Sequence, residues 1–201
     1  MADYKNRRAQ EILSEAEIRS LLAQCSRRAP TGIRDRALLV TLYRAGLRVS
    51  EALDLRPADI DYDDATIRVL HGKGDKTRTV VVDDGTLAEI RIWVTARAQM
   101  GMNGRQRLFC TLSGGPLSAN QVRQMCKRRA DKAGLEKNVH PHGLRHAYAV
   151  GMSREGMSLH TIKDQLGHDY LATTEIYLRG LGAGEAVEQA RTRRPWNPAG
   201  A

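Results

Sequence analysis

Hydrophobic positions recur at helical spacing along most of the chain and at strand spacing in one central stretch. Ser14-Glu-Ala-Glu17 reads as a capping box, and Ile18, Leu21 and Leu22 form the stripe of a first helix. Arg27, Arg28, Pro30 and Gly32 are expected to break it. A second helix is expected from about Ile33 to Ala45, burying Leu38, Leu39, Leu42 and Tyr43, with Gly46 as a left-handed cap. Ser50 is expected to cap a short helix that turns Leu53 and Leu55 inward. The period then changes. Asp59–Tyr62, Ala65–Leu70 and Thr79–Val82 are rich in β-branched residues, with turns at Asp63-Asp64 and over 71–78, which predicts a small three-stranded antiparallel sheet. Helical spacing returns from about Thr86 to Gln99 through Leu87, Ile90, Trp93 and Val94. After a loop and a short extended piece at Leu108–Cys110, Ser118 caps a helix to about Ala133 that Gly134 stops. Its stripe is Val122, Cys126 and Ala130. Pro141 fits a first helical position, Leu166-Gly167 marks a helix end, and Thr173 or Thr174 caps a further segment. A last helix is expected over roughly 184–194, before a fraying tail. The pattern is α+β and mostly α.

Composition narrows the class of partner. The chain has 201 residues, 41% of them hydrophobic, enough to bury an ordinary core. Residues 1–13 read as a loose basic arm, 14–183 as the main domain and 184–201 as a C-terminal helix and tail. The net charge of +9 points to a polyanion, with nucleic acid first. Aromatic residues make up only 4%, which argues against stacking platforms for single strands. Affinity should come from duplex phosphates and fall steeply with salt. The helix after Ser118 carries Arg123, Lys127, Arg128, Arg129 and Lys132 off its apolar stripe. Arg123, Lys127 and Arg128, with Lys76 and Arg78 from the hairpin, are the expected DNA-binding residues. Cys25, Cys110 and Cys126 form no C-x-x-C pair and read as reduced, buried thiols of a cytoplasmic protein. The start lacks the apolar core of a signal peptide, and no run approaches the ~18 apolar residues of a spanning helix.

The candidate chemistry lies between His140 and Tyr177. His142 and Arg145 are three apart and share a helix face. His168 follows the Leu-Gly helix end, and Tyr177 lies in the next segment. Elsewhere, Arg48 follows a Gly-Leu turn and Lys73 sits between glycines at a hairpin tip. The set suits attack on a phosphodiester, which spreads negative charge over the non-bridging oxygens. Two arginines can clamp these oxygens in a bidentate way, and each well-placed donor contributes about 3 kcal/mol in the transition state. A tyrosine hydroxyl, with a pKa of about 10, needs a base or a cationic pocket to act as nucleophile. A flexible lysine can protonate the departing sugar oxygen. No metal or cofactor is required, because the guanidinium groups supply the positive charge.

Gly46-Leu-Arg48-Val-Ser-Glu51, Gly72-Lys73-Gly74, Pro141-His142-Gly-Leu-Arg145-His146, Leu166-Gly-His168 and Tyr177 together resemble the catalytic domain of the tyrosine recombinases, the phage-integrase family. The likeness covers about residues 11–185. It implies the DNA breaking-rejoining fold, with Tyr177 attacking DNA to form a 3′-phosphotyrosyl link and free a 5′-hydroxyl. It implies that Arg48 and Arg145 hold the scissile phosphate and His168 adds a hydrogen bond to it. His142 would accept a proton, and Lys73 would be the general acid. It also implies double-stranded DNA as partner, a tetramer on two duplexes, a monomer or weak oligomer without DNA, and a nucleoid-associated protein of a bacterium or phage. Residues 184–194 would be a segment that docks on a neighbouring protomer. Most family members carry an N-terminal clamp domain, and only about ten residues precede the catalytic region in this sequence. It is expected to be either an excised catalytic domain or a protein that resembles the short members that invert fimbrial promoter switches, the second favoured, with weak duplex affinity for the isolated chain.

Rival readings explain less. His140, His142 and His146 are close in sequence, but no H-E-x-x-H and no placed acidic ligand accompanies them. Gly72-Lys-Gly-Asp-Lys-Thr lacks the spacing of a nucleotide-binding loop. A DNA-binding regulator accounts for the charge but not for the ordered set of polar residues. A type IB topoisomerase-like enzyme shares the chemistry and differs in assembly.

Overall fold

The computed structural model describes residues 12–70 and 77–167. The basic arm to residue 11, the hairpin tip with Lys73 and Lys76, and everything from His168 on, including Tyr177 and the last expected helix, lie outside the described residues. The elements in order are α1 (Glu15–Ala23), α2 (Pro30–Arg44), α3 (Val49–Asp54), a 3-10 turn (Pro57–Asp59), β1 (Ile60–Asp61), β2 (Thr66–Val69), β3 (Arg78–Val81), α4 (Asp84–Gln99), α5 (Ala119–Lys132), α6 (Pro141–Arg154) and α7 (Leu159–Leu166).

Helix ends follow local chemistry. Ser14 and Glu17 make the reciprocal box at α1, with Glu17 N–H donating to Ser14 Oγ at 3.2 Å and Ser14 N–H donating to Glu17 at 2.7 Å. Ser118 and Gln121 repeat it at α5. The second helix starts earlier than expected, at Pro30 rather than Ile33. Proline is tolerated in the first turn, so here it opens the helix instead of breaking the chain. Gly32 lies inside that turn against α1's exit, where a β-carbon would fall 2.4 Å from Ser26 O. Ser50 does not cap α3; Arg48 holds that position.

The sheet has strand order β1-β2-β3 and is antiparallel throughout. Its register sets Ile60 opposite Ile67 and Ile67 opposite Val80, so the three buried side chains form one row against the helices. The main core gathers Leu38, Leu39, Leu42, Trp93, Phe109 and Leu144 around α2. Buried Trp93 donates its indole N–H to Leu108 O at 2.7 Å. A smaller cluster of Tyr148, Ala149, Met152, Ile162 and Leu166 joins α6 to α7, with Tyr43 packed against it. Arg129, expected on the basic face of α5, turns inward instead. It donates to Asp35 at 2.9 Å and to Gln24 O at 2.8 Å, tying α5 to α1 and α2. No helix among the described residues is long and apolar enough to cross a membrane.

Candidate active site

Gly46 makes the first turn of the site. Its φ of +59° suits glycine, and a β-carbon there would fall 2.3 Å from the Tyr148 ring. That close approach brings the start of α3 against α6. Arg48 sits at the N-terminus of α3, and Glu51, one turn on, reaches back to it. Arg48 N–H donates to Glu51 Oε2 at 2.8 Å, and Arg48 Nη1 donates to Glu51 Oε1 at 2.7 Å. Arg78 adds a two-pronged pair to the same carboxylate, Nη1 to Oε1 at 2.9 Å and Nη2 to Oε2 at 2.8 Å. Arg145, on the first turns of α6 and buried, brings Nη1 to 3.8 Å from Glu51 Oε2. One carboxylate thus meets three guanidinium groups.

The same arginines converge on the end of α7. Arg78 Nε donates to Gln165 O at 3.4 Å, Arg145 Nη2 to Leu166 O at 2.6 Å, and Arg48 Nη2 to Gly167 O at 3.1 Å. Arg145 Nη1 also donates to Gly46 O at 2.5 Å. The final carbonyls of a helix have no partner within it and carry its partial negative charge, so cations are stabilised there. Gly167, in the left-handed conformation at φ 63°, ends the helix. Burial opposes ionisation of Glu51, but hydrogen bonds from Arg78 and the Arg48 N–H, with the charges around it, outweigh that and hold the carboxyl at about 2. Among the described residues, Glu51 and the helix end offset only part of the three guanidinium charges around them.

His142 precedes Arg145 by one turn of α6. Loss of solvent around its ring, then the charges of His140, Arg145, His146 and Arg48, hold its pKa below the usual histidine value. It is therefore neutral at pH 7 and can accept a proton. Its ring stacks near that of His140, centroids 6.3 Å apart and planes within 8°. His140 caps α6, its Nδ1 accepting from Gly143 N–H at 3.1 Å. Among the described residues no three of His, Cys, Asp or Glu gather as metal ligands.

Of the residues singled out in the sequence, Arg48 and Arg145 come together, with His142 on the same helix as Arg145. Arg123, Lys127 and Arg128 are exposed on α5. Arg78 departs from the expectation of a DNA-facing side chain: it is 14% exposed and turned onto Glu51. Lys73, Lys76, His168 and Tyr177 are outside the described residues, though His168 directly follows Gly167. Glu51 lies within the Gly46–Glu51 motif, which by itself assigns it no task. Its position three residues after an arginine at a helix start, where a capping-box glutamate belongs, was the available signal.

Comparison with known proteins gives a consistent pattern. The model of the phage integrase family matches residues 11–181. Tyrosine recombinase XerC of Xanthomonas axonopodis pv. citri (strain 306) is 40% identical over 149 residues, 74% of this chain and 48% of that protein. XerC of Alcanivorax borkumensis is 35% identical over 178 residues, 88% of this chain and 58% of that protein. The chain thus spans about half the length of the curated relatives it matches. Among solved structures, XerA recombinase superposes with a TM-score of 0.80 at 30% identity, covering 92% of this chain and 66% of that one. XerH recombinase bound to difH in a pre-cleavage complex gives 0.73 at 27% identity, covering 90% of this chain and 54% of that one.

Proposed function

The chain belongs to the phage integrase family, and on that premise we propose that it is a site-specific tyrosine recombinase that cuts and rejoins duplex DNA through a 3′-phosphotyrosyl intermediate. The observation that carries the proposal is the shared pocket. Arg48 and Arg145 both meet Glu51 and both cap the last carbonyls of α7, so their guanidinium groups lie together ahead of any substrate. Such preorganisation suits a transition state whose negative charge gathers on phosphate oxygens.

The reaction runs as follows. The Tyr177 oxygen attacks phosphorus as its proton passes to neutral His142. Arg48, Arg145 and His168 hold the non-bridging oxygens. The bond from phosphorus to the 5′ oxygen breaks, and Lys73 gives that oxygen a proton. The ester to Tyr177 conserves the bond energy, so rejoining by the 5′-hydroxyl of a second strand needs no nucleotide triphosphate. Exposed Arg123, Lys127 and Arg128 on α5 suit contact with duplex phosphates, and Lys76, between β2 and β3 in the sequence, is proposed to join them. The proposed assembly is a tetramer on two duplexes, in the cytoplasm and on the nucleoid. XerH is bound to its difH site in the solved complexes, which supports duplex DNA as partner.

The test uses a pool of nicked duplexes with a randomised core. The chain should form a covalent protein–DNA adduct, visible on denaturing gels and insensitive to EDTA, and Tyr177→Phe should abolish it. A gel shift with no adduct would favour a DNA-binding regulator. Relaxation of any supercoiled plasmid without site preference would favour a topoisomerase.

A further inference from the structure

Arg78 carries a role that its place on a hairpin does not announce. Its guanidinium uses both prongs on the two oxygens of Glu51 and its Nε on Gln165 O. It also rests directly on Gly167: a β-carbon there would fall 2.8 Å from Arg78 Cζ and Nε and 2.9 Å from Cδ. The contact is returned three residues along the strand, where Val81 N–H donates to Gln165 Oε1 at 3.2 Å. The edge strand β3 is thus stitched to the end of α7 twice, once by a strand side chain on helix backbone and once by a helix side chain on strand backbone. Arg78 is 14% exposed and Glu51 4%. A guanidinium so placed, with its fork engaged, is not presented to a duplex.

Among the described residues, both anchors of the Arg48 side chain depend on this seam. Arg48 Nη1 is held by Glu51 Oε1, and Arg48 Nη2 by Gly167 O. Arg78 grips that carboxylate and packs against that glycine. We propose that Arg78 is a positioning residue of the strand-transfer site: it fixes Glu51 and Gly167 so that Arg48 meets the scissile phosphate in one orientation. The inference rests on the proposed role of Arg48. Gln165 is the second stitch, holding β3 at the distance that Arg78 spans. Gly167 is the surface on which the guanidinium lies, which adds a packing reason for glycine to the conformational one.

Two measurements on the whole chain decide this. The first compares wild type, Arg78→Lys, Arg78→Ala, Arg48→Ala and the Arg48→Ala/Arg78→Ala double variant on a nicked duplex selected for adduct formation. Arg78→Lys keeps the charge but loses the fork. A positioning role leaves duplex Kd and its salt dependence unchanged for Arg78→Lys, and slows adduct formation at saturating DNA by about 10-fold for lysine and about 100-fold for alanine. In the double variant the loss equals that of Arg48→Ala alone, because Arg78 acts through Arg48. A weaker Kd with a shallower salt slope and an unchanged saturated rate would make Arg78 a phosphate contact, and multiplied losses in the double variant would make it independent of Arg48; either overturns the proposal. The second measurement needs no activity. The heteronuclear NOE of the Arg48 Nε–Hε pair should report a rigid side chain in wild type and a mobile one in Arg78→Lys. Equal rigidity in both overturns the proposal. A wild-type chain that forms no adduct would instead sink the recombinase reading, and the NMR result would still decide whether Arg78 positions Arg48.

Discussion

Replacing Glu51 with glutamine tests the electrostatic core of the site. Glu51→Gln keeps shape and volume but removes the charge that faces Arg48, Arg78 and Arg145, and turns an amide donor toward guanidinium donors. The carboxyl is lowered from 4.5 to about 2 in the folded chain, which by linkage corresponds to about 3 kcal/mol of stability. Breaking a buried ionic network from one side costs a similar amount, about 3–5 kcal/mol. At pH 7 the variant should therefore unfold at lower urea, with a loss of about 3 kcal/mol. The pH dependence has a definite sign. A carboxyl held below its unfolded value binds fewer protons when folded, so its contribution is complete above pH 4.5 and disappears as pH falls through about 2. Glutamine does not titrate. The gap between wild type and variant should narrow below pH 4.5, to roughly half its neutral value or less by pH 3. Urea titrations of both proteins at pH 7 and pH 3, followed by far-UV circular dichroism, measure it. A gap that is absent at pH 7, or the same at both pH values, refutes the reasoning, because either result means the carboxylate does not feel three cations.

Other outcomes follow from the same geometry. His142 is held below the usual histidine pKa, so it should stay a competent proton acceptor as the medium is acidified. The acid limb of the adduct-formation rate that belongs to this residue should lie below the ordinary histidine value of 6.5, and a limb above it counts against His142 as the acceptor. Gly46→Ala should cost about 3 kcal/mol, from left-handed strain together with overlap on the Tyr148 ring; thermal unfolding checks it, and a change within experimental error would mean the turn relaxes freely. Burial pushes the Cys25 thiol up to about 11 and the Cys126 thiol to about 12. Both should resist iodoacetamide at pH 8 in the folded chain and react once urea unfolds it, as intact-mass measurement would show.

Much of this fold is written in short-range chemistry. Ser14, Ser118, Gly134, Pro141 and Gly167 mark helix ends because caps and breakers act over three or four residues. Pro30 misleads because proline both breaks helices and opens them, and only the packing of Gly32 on Ser26 settles which. The arginine pocket was legible as a pattern, with Arg48 and Arg145 in recognisable settings. Its binding logic was not, because Glu51, Arg78 and the carbonyls of residues 165–167 come from three separate elements. One signal was available. Along β3, residues 78 and 80 share a face, and Val80 points to the core. By that alternation Arg78 points the same way, so its charge must find a buried partner. Taking Arg78 as a DNA-binding residue overlooks strand parity. For Arg129 the stripe Val122, Cys126 and Ala130 defined too narrow a buried face: Met125 is buried as well, and the contact face therefore widens to admit Arg129.

The arrangement also accounts for how a cationic pocket can be stable before it is used. Three guanidinium groups within reach of one another repel, and in a partly buried setting that repulsion is poorly screened. Glu51 offsets part of it, and the α7 terminus another part, yet both are fixed in position and neither satisfies all the charge. A phosphodiester entering the pocket would therefore add the missing negative charge without having to reorganise the donors, which is where preorganised sites gain most. The helix end is more than a counter-charge. It is the segment from which the chain runs on to His168 and Tyr177, and it is held by the same arginines proposed to grip the phosphate. A disturbance at Gln165, Leu166 or Gly167 must reach the guanidinium groups, and a displaced arginine must loosen the end of α7, from which the chain runs on to Tyr177, the proposed nucleophile. The proposed grip on phosphate and the hold on the end of α7 are then one mechanical unit, with Glu51 at its centre.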